Sequence, residues 1–125
     1  PYPFFYQIRP FLREFPEVFK ILSTRNKTSI ARTLEFFGAN SIAIYGQEDI
    51  RKYDSKLGVA KSNRWLNNSA YVVYIDDMDS HLEPFENEVD LCIHAGWGYD
   101  VSQVDSYTQS QAYQIIKGFL KLSCV

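Results

Sequence analysis

Five side chains in this sequence have the types and spacing that could handle a phosphate and a hard cation. They are the hydroxyls of Ser23 and Thr24, the ammonium of Lys56 and the carboxylates of Asp76 and Asp77. The hydroxyls follow the apolar run Val18-Phe19-Lys20-Ile21-Leu22 and precede a helical pattern. Free N–H groups and the helix dipole favour an anion at such a junction. The paired carboxylates follow a second apolar run and suit Mg²⁺, which takes oxygen ligands from one or two acids plus water and phosphate. Lys56, with Lys61 as the alternative, could meet a phosphate at the same edge. Each residue also has a plainer reading: the hydroxyls as helix caps, the lysine as a solvated side chain, the acids as a turn that caps the next helix.

The elements that must position these residues follow from periodicity. Phe11 to Phe15 has helical spacing between Pro10 and Pro16, which confine it to a short helix. Val18 to Leu22 reads as a strand. A helix from Thr28, capped by Thr28 or Ser29, carries Ile30, Ala31, Leu34 and Phe37 on one face and stops at Gly38. Ser41 to Tyr45 is a second strand ending at Gly46. Ile50 to Leu66 is mostly helical, with a break near Gly58. Ala70 to Ile75 is a third strand, ending in Asp76 and Asp77. A short helix from Ser80 to Glu86 leads to a fourth strand, Val89 to His94. Gln103 to Leu122 is a last helix that buries Ala112, Ile115, Ile116, Phe119 and Leu120.

Apolar strands alternating with helices predict an α/β fold with a mainly parallel sheet covered on both faces. In such sheets ligands bind beyond the carboxyl ends of the strands, where the five candidate residues fall. The 125 residues fit one domain. With 46% hydrophobic and 22% charged residues the chain has ordinary globular usage, which excludes disorder. A net charge of −2 gives no basic field for a nucleic-acid backbone. No apolar stretch reaches the ~20 residues of a membrane helix and no signal peptide opens the chain, so the cytoplasm is the expected compartment. Cys92 and Cys124 lack metal-site spacing, and Cys92 reads as a small core hydrophobe. His81 and His94 are thirteen residues apart and read as structural, as does the Trp97 to Asp100 cluster. Arg9, Arg13, Arg25 and Lys27 form no run and read as a solvated face.

The order apolar strand–Ser/Thr, then Lys, then apolar strand–Asp–Asp resembles motifs two, three and four of the haloacid dehalogenase (HAD) superfamily. "FKILSTRNKTSIARTLEFFGA" is similar to motif two and its helix, "AYVVYIDDMDSHLEPF" to the strand and acidic turn of motif four, and "VDLCIHAGWGYD" to the strand that follows. The resemblance runs from about Ile8 to Asp100. It implies a Rossmann-like three-layer sandwich without a cap. It also implies Mg²⁺-dependent phosphate monoester hydrolysis through an aspartyl-phosphate, acting on a phosphorylated small molecule or phosphoprotein. Ser23, ahead of Thr24, would bind the phosphoryl group. Lys56 would neutralise it, and Asp77 with Asp76 would hold Mg²⁺.

One departure matters. The family's nucleophile is an Asp on a first strand, in a DxD pattern. Here Pro1 to Tyr6 carries no carboxylate, so no nucleophile is identified and a first strand is lacking. Two readings follow: a phosphohydrolase completed by an Asp from elsewhere, or a catalytically silent binding or assembly module. If Tyr2 to Tyr6 pairs as a strand, the silent reading gains; if a position beside the first strand stays open, self-association or a complementing chain is expected. "YIDDM" also resembles the acidic turn of reverse-transcriptase palms, and Asp77-Met78-Asp79 the DxD of nucleotide-sugar transferases. Both need a much longer chain.

Overall fold

The computed structural model describes residues 3–39, 41–66, 71–95 and 107–123. These fall in two compact units, one of Phe5–Asn67 and the other of Asn68–Val125 together with Pro1–Phe4.

Burial every fourth residue explains the first element. Phe4, Ile8 and Leu12 are buried along one face of helix α1 (Pro3–Glu14). The described part of the opening aromatic segment is helical, which answers the question left open for Tyr2 to Tyr6, and one expectation is corrected: Pro10 lies inside the helix rather than at its start. An interior proline costs about 3 kcal/mol because it removes one hydrogen bond and crowds the preceding turn. Here Pro10 and Tyr6, four residues back, are both exposed, so water can serve the carbonyl left without an N–H. Three buried apolar side chains offset the cost.

A 3-10 turn at Pro16–Val18 takes Val18 out of the expected strand, and β1 spans Lys20–Leu22. It pairs in parallel with β2 (Ala43–Tyr45), in the register Lys20↔Ala43, Ile21↔Ile44, Leu22↔Tyr45. Parallel strands need a crossover, which helix α2 (Lys27–Phe36) supplies. Ile30, Leu34 and Phe37 are buried as expected, whereas Ala31 is exposed. The N-cap is Asn26, not Thr28 or Ser29: its side chain accepts from the Ser29 N–H at 2.8 Å. Gly38, at φ +67°, ends the helix in the left-handed region. After β2, helices α3 (Gln47–Tyr53) and α4 (Lys56–Ser62) are separated at Asp54 and Ser55. The break therefore precedes Gly58, which lies inside α4 and donates its N–H to the capping Ser55 Oγ at 2.9 Å.

In the other unit, β3 (Val73–Asp76) and β4 (Leu91–His94) pair in parallel, in the register Val73↔Leu91, Tyr74↔Cys92, Ile75↔Ile93, Asp76↔His94. Helix α5 (Asp79–Leu82) and a 3-10 turn (Glu83–Phe85) connect them. Leu82 and Phe85 are buried there, and Phe85 stacks on Tyr74 with ring centroids 3.9 Å apart. The Val72 N–H donates to Asp90 Oδ2 at 2.6 Å, closing the entry to both strands. Helix α6 (Gln109–Ser123) buries Ala112, Ile116 and Leu120, with Ile115 and Phe119 half-buried; the start expected near Gln103 lies outside the described residues.

The chain is thus mixed α/β. Among the described residues it has six α-helices and two parallel strand pairs, each closed by a helical crossover. The four strands pair two by two, and no single continuous sheet forms among the described residues. No described helix is long and apolar enough to cross a membrane.

Candidate functional site

The residue after β1 is Ser23. Its N–H extends the ladder by donating to the Tyr45 carbonyl at 3.0 Å. Its Oγ accepts from the Arg25 N–H at 3.2 Å, so the hydroxyl is held in a tight turn beyond the strand end. Thr24 is exposed beside it. The loop is tied to the end of β2: the Gln47 N–H donates to the Arg25 carbonyl at 2.8 Å, and Lys27 Nζ stands 3.2 Å from Asp49 Oδ2. Asp49 Oδ2 also accepts from the Gly46 N–H at 2.9 Å, as the N3 carboxylate of α3 reaching back to the N-cap. Burial works to raise the Asp49 carboxyl, but the Gly46 N–H and the Lys27 ammonium together hold it below the ordinary value.

Arg25 is exposed, as the reading of a solvated face expects, yet its side chain is ordered. Its guanidinium folds back along α2, where Nε donates to Ser29 Oγ at 3.0 Å and Nη2 bonds Ser29 and, at 3.2 Å, Thr33 Oγ1.

Lys56 is the first residue of α4 and is half-buried, whereas Lys61 is exposed. A lysine in a first helical turn opposes the macrodipole by about 0.3–1 kcal/mol, so helix preference does not put it there. It adds positive potential where the helix already has it.

Asp76 is the last residue of β3, and Asp77 follows it. The Asp76 side chain is only 7% exposed and heavily engaged. Oδ1 accepts from the Met78 N–H at 3.1 Å and Oδ2 from the Tyr74 hydroxyl at 2.5 Å, while His81 Nδ1 stands 3.4 Å from Oδ2. Burial, and then the Asp76 charge and hydrogen bond, push the Tyr74 phenol far above its usual range. Asp77 is held through its backbone: its carbonyl oxygen lies 3.2 Å from His94 Nε2, and His94 is 7% exposed. Cys92 is half-buried, and burial followed by the Glu86 charge raises its thiol.

The two histidines that spacing marks as structural therefore bracket the acidic turn. Tyr74 carried a local signal, being two residues before Asp76 and on the same strand face. His94 carried none, because its partnership depends on the register of β3 against β4.

As a site for Mg²⁺ the turn is a contributor rather than a complete set. The metal takes one or two carboxylates together with water and phosphate, and Asp77 fits that part. Asp76 already serves three internal partners. Among the described residues no group of three or more His, Cys, Asp or Glu could hold a metal ion. Ser23, Thr24 and Lys56 belong to one unit, Asp76 and Asp77 to the other, and each group stands as described in its own unit. Trp97 to Asp100 and Cys124 lie outside the described residues.

Compared with known proteins, the chain matches no family model, no curated protein and no solved structure.

Proposed function

We propose that this chain is the motif-two-to-four part of a HAD-like phosphohydrolase whose aspartyl nucleophile comes from a strand beyond these residues or from a second chain. One observation carries the reading. Each parallel pair bears its candidate chemistry at a carboxyl strand end, Ser23 directly after β1 and Asp76 and Asp77 at the end of β3. The strand pairing supports it further. Among the described residues β1 pairs only with β2, and β3 only with β4. The described part of the opening aromatic segment is helical, so it adds no strand beside β1.

In this reading Ser23 hydrogen-bonds the phosphoryl oxygens, Lys56 offsets their charge, and Asp77 would hold Mg²⁺, with Asp76 joining it by giving up one of its internal partners. That ion, when bound, would neutralise charge on the phosphoryl group. The supplied Asp attacks phosphorus as the ester oxygen leaves with a proton, and water then cleaves the aspartyl-phosphate. The second reading, a silent binding module, is favoured by the Asp76 carboxylate being taken up by Tyr74, His81 and the Met78 N–H.

The test joins the intact mass of the native protein to hydrolysis of an aryl phosphate with and without Mg²⁺. A longer native chain or a complex, with metal-dependent turnover that falls on the order of 10²-fold or more in Asp77→Asn, is expected. A native mass of 14.5 kDa without turnover would leave the silent module.

A further inference from the structure

The loop after β1 and the first turns of α2 form a concave surface that the five candidate residues do not use. It is a cleft of about 460 Å³ lined by Arg25, Asn26, Thr28, Ser29, Arg32 and Thr33. Two guanidinium groups and four neutral polar side chains line it, and none of these lining residues is a carboxylate. Glu48 keeps its charge and accepts from the Lys27 N–H at 3.2 Å, but it does not line the cleft, and Asp49 is paired with Lys27 and Gly46.

The donors are organised rather than merely near. Arg25 bonds α2 through Nε and Nη2 only, and Nη1 donates to none of the described residues. A guanidinium carries five N–H donors, so the anchoring leaves two in a fixed orientation. Asn26 uses Oδ1 to cap the Ser29 N–H, which leaves its amide N–H groups as its free face. Arg32 is exposed and lies on α2 three residues after Ser29, one turn along from the side chain that Arg25 bonds. The cleft runs along α2 from Thr28 to Thr33, so the helix dipole adds to it only at the Thr28 end. Fixing Arg25 in advance cuts the entropy lost when a ligand is gripped.

We infer that this cleft is a second anion site, taking a phosphate or carboxylate on a small molecule, separate from the group held by Ser23. The Arg25 N–H that bonds Ser23 Oγ makes the two neighbours. Resting on the phosphohydrolase reading, the inference narrows the substrate class to small molecules with two acidic groups, one reacting and one gripped by Arg25 and Arg32. Guanidinium is suited to both anions because its planar fork donates two parallel bonds.

The test needs no turnover. ¹⁵N-labelled protein is titrated with inorganic phosphate at constant ionic strength, with chloride as the control. Saturable shifts at the amides of residues 25–33 and at the side-chain Nε–H of Arg25 and Arg32 are expected. Arg32→Gln should weaken the apparent affinity by about tenfold or more, the usual worth of a charge-assisted hydrogen bond. Arg32 makes none of the side-chain bonds that hold the loop, so this variant keeps the fold. Arg25→Lys should also weaken binding, because it keeps the charge but loses the fork. Asp77→Asn should leave the affinity unchanged. Shifts that chloride reproduces, or an affinity that Arg32→Gln does not change, overturn the inference. Phosphate binding that persists in a protein without phosphatase activity would sink the hydrolase reading and leave the anion site standing.

Discussion

The Nε2 of His94 stands 3.2 Å from the carbonyl oxygen of Asp77, so a ring on β4 holds the turn that leaves β3. With Nε2 donating, Nδ1 is a bare acceptor; it is buried and has no partner among the described residues. Truncation therefore removes one bond and one buried ring while relieving one unsatisfied atom. His94→Ala is expected to lower the unfolding free energy by about 1–3 kcal/mol, read from urea denaturation at neutral pH. A midpoint equal to the wild type would show that this contact does not hold the acidic turn.

Tyr74 gives the same turn a pH dependence. Burial and Asp76 raise the phenol in the folded protein, so the protonated form is the one that folding favours. That contribution is fully present below the unfolded value near 10 and is lost as pH rises beyond it. Tyr74→Phe keeps the ring against Phe85 and removes only the hydroxyl that donates to Asp76 Oδ2. It should cost about 1.5–3 kcal/mol at pH 8, and the gap to wild type should close by about 1.4 kcal/mol per pH unit above pH 10. Urea midpoints across that range decide it, and a constant gap would mean that the phenol ionises while folded.

Asp49 works with the opposite sign. Its carboxyl is held below the ordinary value, so the charged form is favoured by folding. The stability it supplies is present above the unfolded value, close to pH 4, and is lost as pH falls through the depressed folded value. Asp49→Asn weakens the reach-back to the Gly46 N–H and removes the charge facing Lys27. The expected loss is about 1 kcal/mol at pH 7, vanishing in strong acid. Thermal melts of both proteins at neutral and acid pH measure it; a deficit that persists in acid would assign the effect to something other than the charge.

These residues mark where sequence reading succeeds and where it stops. The strand ends are legible because an apolar run halts at a polar residue, which places Ser23, Asp76 and Asp77 at carboxyl ends. The face of α2 was legible from Ile30, Leu34 and Phe37, and its end from Gly38. The N-cap of α2 lies two to three residues before the Thr28 or Ser29 that the sequence suggests, because Asn26, Thr28 and Ser29 all have capping chemistry and only the backbone chooses among them. Pro10 bounds helix α1 in the sequence because the local cost of proline is visible there and the burial that outweighs it is not. In the sequence Gly58, the usual breaker, marks the break between α3 and α4, but the break falls at Asp54, which adopts φ +69°. The His94–Asp77 contact spans seventeen residues and follows from strand register, which no spacing rule encodes.

Gly46 offers the sharpest test of how the loop after β1 is held. A Cβ at this position would lie 2.7 Å from the Arg25 carbonyl oxygen and 2.9 Å from the Lys27 nitrogen, both backbone atoms with little room to yield. Its φ of −121° is open to any residue, so the restriction is one of space alone. Gly46→Ala should push the Arg25–Lys27 segment away from β2 and strain the Gln47 N–H bond to the Arg25 carbonyl. Overpacking of this kind costs about 1–3 kcal/mol. The loss should show in urea denaturation, together with faster amide exchange at Gln47. If the variant is as stable as wild type and Gln47 stays protected, the two loops are not locked together, and the fixed placement of Ser23 and Arg25 loses its structural basis.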